Sequence, residues 1–150
     1  MTAKAVEKEM PLARLIGHWE QVGGKLAALA EEFPKDKYEA APVNGVRTFG
    51  DVLRHLAFWN QFVAESARGR KADDAANELP KSEYSTKTAI IDALKRSTAE
   101  AAAALRKRQA DQDPEITEMV MTFIEHNSEH YGQLVVYSRL NGIVPPASRA

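Results

Sequence analysis

The sequence predicts an all-α protein, a four-helix bundle, on three observations. Apolar residues recur at steps of three and four in four separate stretches, no stretch alternates with the period of two that a strand requires, and each stretch is bounded by Pro, Gly or a side chain that can cap a helix. Four long amphipathic helices in a chain of 150 residues bury their apolar stripes by turning them toward one another. That length suits one domain over residues 1–150, with a core large enough to fold without covalent staples.

The first stretch sets Leu12, Leu15, Ile16, Trp19, Val22, Leu26, Leu29 and Phe33 on one face of a helix turning about 100° per residue, and Pro34 ends it. A connection through Pro42-Val43-Asn44-Gly45-Val46-Arg47 leads to Thr48, whose hydroxyl can cap the second helix while Asp51 completes a capping-box pattern. That helix turns Phe49, Val52, Leu53, Leu56, Trp59 and Val63 inward, with His55 and Phe62 widening the stripe, until Arg68-Gly69-Arg70 stops it.

Residues 69–84 read as a polar loop. The third helix, expected from Ser85 to Ala110, carries Ile91, Leu94, Thr98, Ala101 and Leu105 along one seam, and its alanines suit close helix packing. Asp113-Pro114-Glu115 starts the fourth: Asp caps, Pro tolerates the first helical position, and Glu favours the positive end of the helix dipole. Asn141-Gly142 closes it in a left-handed turn and Pro145-Pro146 forbids continuation, leaving a short non-helical tail.

Composition excludes several function classes. The chain has no Cys, which removes disulfides, thiolate zinc sites, iron-sulfur clusters and a cysteine nucleophile, so any metal must be held by His, Asp or Glu. Lys and Arg number 20 against 21 Asp and Glu, interspersed, and leave no basic face for a nucleic acid partner. The segment MTAKAVEKEM lacks a signal-peptide core and no apolar run is long enough to span a membrane, so a cytoplasmic location is expected.

Of four histidines, His126 and His130 stand one turn apart on one face of the fourth helix, on the side of Met119, Phe123, Leu134 and Tyr137. Imidazoles facing a core need partners, and a shared metal ion or ordinary hydrogen bonds would both serve. His55 falls in the apolar arc of the second helix, which brings a third imidazole inward. Three nitrogen ligands suit zinc, nickel, iron or copper and leave a coordination position open for water or substrate. His18 lies at the edge of the first stripe and is not expected at the metal. Asn127 is inside the inward arc, where it either orients an imidazole or substrate or only braces a neighbouring helix.

His126-Asn127-Ser128-Glu129-His130 also matches the H-x-x-E-H pattern of inverted zinc proteases, with Glu129 in the place of the general base. Such enzymes take a third ligand from well downstream. Here no His, Asp or Glu follows His130, so Glu129 reads as a flanking polar residue.

Thr48-Phe49-Gly50-Asp51-Val52-Leu53-Arg54-His55-Leu56, then His126-x-x-x-His130-Tyr131-Gly132-Gln133-Leu134, then Gly142-Ile143-Val144-Pro145-Pro146, in this order, resemble the DinB-like metal-binding bundle superfamily over about residues 10–146. The resemblance implies an up-down-down-up bundle with a long connection between helices two and three. It implies one divalent metal, zinc or nickel, on His55, His126 and His130, and frequent homodimers. Tyr131 departs from the His or Arg often found there, which leaves its part beside the ligands open.

Related members are thiol S-transferases using low-molecular-weight thiols such as bacillithiol or mycothiol, or thiol-dependent isomerases. The leading expectation is therefore a metal-dependent enzyme, a thiol S-transferase or hydrolase, in which the ion activates a bound thiol or water toward a small-molecule substrate. Trp59, Phe62 and Tyr137 are expected to shape its pocket, although aromatic residues at helical spacing also serve as plain core. The alternative is a non-catalytic, metal-stabilised bundle that binds a small ligand or partner in a stress response.

Overall fold

The computed structural model describes the backbone of residues 3–149 and the side chains of residues 12–149. Four α-helices run over Ala3–Glu32 (α1), Phe49–Ala67 (α2), Lys87–Arg106 (α3) and Pro114–Leu140 (α4), with 3-10 turns at Lys35–Lys37, Gln109–Asp111 and Pro146–Ser148. No strand occurs among the described residues.

The helix ends follow from local chemistry. Thr48 accepts the Asp51 N–H at 3.0 Å and so caps α2, but the Asp51 carboxylate accepts from Arg54 Nη2 at 2.8 Å instead of serving only the helix end. Thr86 caps α3 through the Ala89 N–H, and Asp113 caps α4 through that of Glu115. At the far end of α4, Gly142 takes φ +75°, with Ile143 N–H on Ser138 O and Gly142 N–H on Arg139 O, the paired bonds of a Schellman turn.

α1 starts at Ala3, ahead of its stripe. Two boundaries differ from expectation. α3 stops at Arg106, short of Ala110, because Arg108 turns away to the Ala67 carbonyl and to Asp111, and Gln112 goes left-handed at φ 51°. The tail holds one 3-10 turn, Pro146–Ser148, where a non-helical segment was expected.

Shared core clusters give the topology. Leu12, Ile16 and Trp19 pack with Ile116 and Val120, while Leu26, Leu29 and Phe33 pack with Leu134 and Tyr137, so α1 and α4 run parallel. Phe49, Val52 and Leu53 meet Ile90, Ile91 and Leu94, while Val63, Ala64 and Ala67 meet Ala101, Ala102 and Leu105, so α2 and α3 are also parallel. The two pairs oppose each other, as Trp19 Nε1 donating to Thr98 O and Lys87 Nζ to Phe33 O require of α1 and α3. The bundle is up-down-down-up. Two parallel neighbours need a long crossover, and the segment between Ala67 and Lys87 supplies it.

That crossover is less simply polar than its sequence. Leu79 is buried against Ala57, Phe58 and Ala93, and its N–H donates to Arg54 O. Arg54 itself, outside the expected stripe, is 1% exposed. Its guanidinium holds Glu39 and Asp51 at 2.8 Å and the Tyr84 carbonyl at 2.9 Å, clamping both flanking loops onto α2 next to His55.

Candidate metal centre

His55 sits midway along α2 in the arc of Val52, Leu56 and Trp59, and the antiparallel α4 brings His126 and His130 opposite it. One ring nitrogen from each lies within 4.8 Å of the others. His55 Nε2 and His126 Nε2 are 2.9 Å apart. The ring centroids are 4.9 Å apart for His55 with either partner and 4.7 Å for His126 with His130. The three histidines singled out from the sequence are thus brought together, and the group is compatible with metal binding.

The opposite ring nitrogens meet oxygen acceptors. Asn77, at φ 66° in the crossover, presents its carbonyl 2.7 Å from His55 Nδ1. A carbonyl can only accept, so His55 carries its proton on Nδ1 and leaves Nε2 a lone pair. His130 Nδ1 is 2.8 Å from Gln133 Oε1. Gln133 Nε2 donates to the Tyr137 hydroxyl, which donates to the Arg47 carbonyl, each at 2.8 Å. Because that chain ends on a carbonyl, the amide has to present oxygen to His130. His126 Nδ1 lies 3.2 Å from Asn127 Oδ1.

Burial, with Arg47 and the other two imidazoles adding to it, pushes the His55 ring down to about 4. Burial and His130 also hold His126 below the usual imidazole range. His55 is therefore uncharged at neutral pH, the form in which an imidazole binds a metal.

Around the triad, half-buried Trp59 stacks on Phe123 at 5.5 Å and donates from Nε1 to Asn77 Oδ1 at 2.8 Å. Phe62 meets both rings, and Phe123 stands edge-on to His126 at 5.7 Å. The Arg47–Glu78 ion pair lies on the loop side, at 2.5 Å. Tyr137, expected to line a pocket, is buried and acts through its hydroxyl on Gln133 and Arg47.

The remaining candidates fall elsewhere. His18 is exposed on α1 and outside the three-histidine group, and Glu129 is exposed on α4. Tyr131 packs toward α1, with Lys25 Nζ 4.6 Å from its ring centre. Asn127 is 2% exposed and bonds both His126 and Asn60, so it meets an imidazole and also braces α4 on α2.

Sequence reasoning missed Asn77, Asn60 and the role of Gln133. Asn60 had a signal, a polar residue one turn beyond Leu56 on the apolar face. Gln133 also had one, three residues after His130 and four before Tyr137. A backbone carbonyl in the crossover leaves no mark in the side-chain pattern, so Asn77 had none.

Residues 18–134, more than half of the chain, match the family model described as the DinB superfamily. No curated protein matches the chain.

Proposed function

This chain belongs to the DinB superfamily, and on that premise we propose that His55, His126 and His130 hold one divalent transition-metal ion, zinc or nickel, in a metal-dependent enzyme. The observation that carries this is the pair of Nε2 atoms at 2.9 Å with His130 beside them. His55 Nε2 has no proton to offer, so its lone pair points at His126 Nε2, which satisfies it either by donating an N–H or by sharing a cation with it. The donor set fits the group: imidazoles, borderline in softness, each with its outer nitrogen already bonded.

When bound, an ion with three nitrogen ligands and an open position supplies Lewis-acid activation of a thiol or water. The protein's own share is orientation and exclusion. Asn77, Asn127 and Gln133 fix the rings, the Arg47–Glu78 pair bounds one side, and Trp59, Phe62 and Phe123 offer an apolar wall to the body of a small substrate. The thiol S-transferase version takes a low-molecular-weight thiol as cosubstrate.

Elemental analysis of untagged protein, alongside the triple variant His55→Ala, His126→Ala, His130→Ala, tests the site. One ion per chain, absent from the variant, is expected; a chain that takes up neither zinc nor nickel ends the proposal. Because the triad ties α2 to α4, a non-catalytic role in which the ion only stabilises the bundle is the second reading. Turnover of thiol and electrophile pairs above the free-metal background excludes that reading. A homodimer is also proposed, and a monomer in sedimentation at working concentration removes it.

A further inference from the structure

We propose that Asn60 is a positioning residue which, with the Ser97 and Thr98 hydroxyls of α3, fixes the tautomer of His126. For its purpose this rests on the metal-centre reading; its geometry is independent. Asn60 is 1% exposed at the centre of the bundle, and nothing in a ligand motif marks it. Asn127 Nδ2 donates to Asn60 Oδ1 at 3.0 Å, and Asn60 Nδ2 reaches Ser97 Oγ at 3.3 Å and Thr98 Oγ1 at 3.4 Å.

The direction of this relay is set at its far end. Both hydroxyls lie on the Leu94 carbonyl, Ser97 Oγ at 3.0 Å and Thr98 Oγ1 at 2.8 Å. A carbonyl has no proton, so each hydroxyl donates to it and has only lone pairs left for Asn60. Asn60 must then turn its NH2 toward α3 and its oxygen toward Asn127. Asn127 in turn gives its NH2 to Asn60 and its oxygen to His126 Nδ1, at 3.2 Å. His126 keeps its proton on Nδ1, and Nε2 is left as a lone pair facing His55.

All three imidazoles are thereby oriented by chains ending on backbone carbonyls: Asn77 for His55, Arg47 for His130 and Leu94 for His126. The last carbonyl belongs to α3, a helix with no histidine, so three helices and both long connections jointly set the donor atoms. A buried amide pair of this kind either has every group satisfied in one sense or loses a bond when an amide turns over, which gives the relay a single stable direction.

The test is long-range proton–nitrogen spectroscopy of histidine-labelled, chelator-treated full-length protein, at a pH above the imidazole range. The expected wild-type result is Nδ1–H at all three rings. Asn60→Leu removes the acceptor that holds Asn127, so His126 alone is expected to gain an Nε2–H population, with His55 and His130 unchanged, and zinc affinity to fall about 10- to 100-fold. Asn60→Asp, which still accepts from Asn127, is expected to restore Nδ1–H. If Asn60→Leu does not fold, Ser97→Ala with Thr98→Val frees Asn60 to turn over and carries the same expectation.

A folded Asn60→Leu, or a folded Ser97→Ala, Thr98→Val double variant, whose His126 tautomer matches wild type overturns the proposal, as does Nε2–H at His126 in the wild type. Since the tautomer is read without metal, wild-type protein that shows the three Nδ1–H rings yet takes up no zinc or nickel would count against the metal centre alone.

Discussion

His55 Nε2 and His126 Nε2 face each other across 2.9 Å, from two antiparallel helices and 71 residues apart in sequence. Each ring is locked from behind, so the approach reflects the packing of α2 on α4 and the bonds to Asn77 and Asn127.

A cation held between those atoms, as proposed, would bind the native state and not the unfolded chain. Zinc at about 100 times its dissociation constant should therefore raise the unfolding free energy by about 2.7 kcal/mol. Thermal or urea unfolding with and without zinc checks this. His126→Ala and His55→Ala should lose the increment, and His18→Ala, exposed on α1, should keep it.

Gln133 gives its oxygen to His130 and its NH2 to Tyr137. Gln133→Leu leaves both without that partner, and metal affinity is expected to drop about 10- to 100-fold in a chelator competition. Tyr137→Phe spares the bond to His130 and should have the smaller effect; equal losses would show that the hydroxyl, and not the amide, sets the ring.

Arg54 predicts an acid response. Burial alone would raise the Asp51 carboxyl, but the hydrogen bonds from Arg54 and Thr48 and the charges of Arg54 and Lys81 outweigh it and hold the group below its ordinary value. A depressed folded value adds stability that is fully present above the unfolded value of about 3.9 and is lost as pH falls through the folded one. Wild type should thus exceed Asp51→Asn in urea midpoint at neutral pH, and the gap should close below about pH 4.

Gly50 makes room for the same clamp. A Cβ there would stand 2.8 Å from Glu39 Oε1 and 3.1 Å from the Tyr38 carbonyl, which already accepts the Gly50 N–H at 2.7 Å. Gly50→Ala is expected to cost about 1–3 kcal/mol by overpacking. Urea unfolding measures it, and a neutral result would mean that the loop before α2 yields freely.

The sequence by itself determined the four helices, through their stripes and through caps such as Thr48 and Asp113, because those signals act within one turn of chain. It also determined the three inward histidines, since His126 and His130 share a face by spacing alone and His55 lies in an apolar arc. What it left open was set by contacts distant in sequence. The burial of Arg54 needs Glu39 and Tyr84 from two different loops. The early end of α3 needs Arg108 to find Ala67. The protonated nitrogen on each ring depends on carbonyls at Asn77, Arg47 and Leu94, which only the assembled bundle brings within reach. Periodicity reports which way a side chain faces, whereas the identity of the atom it meets there is fixed by the packing of the other helices.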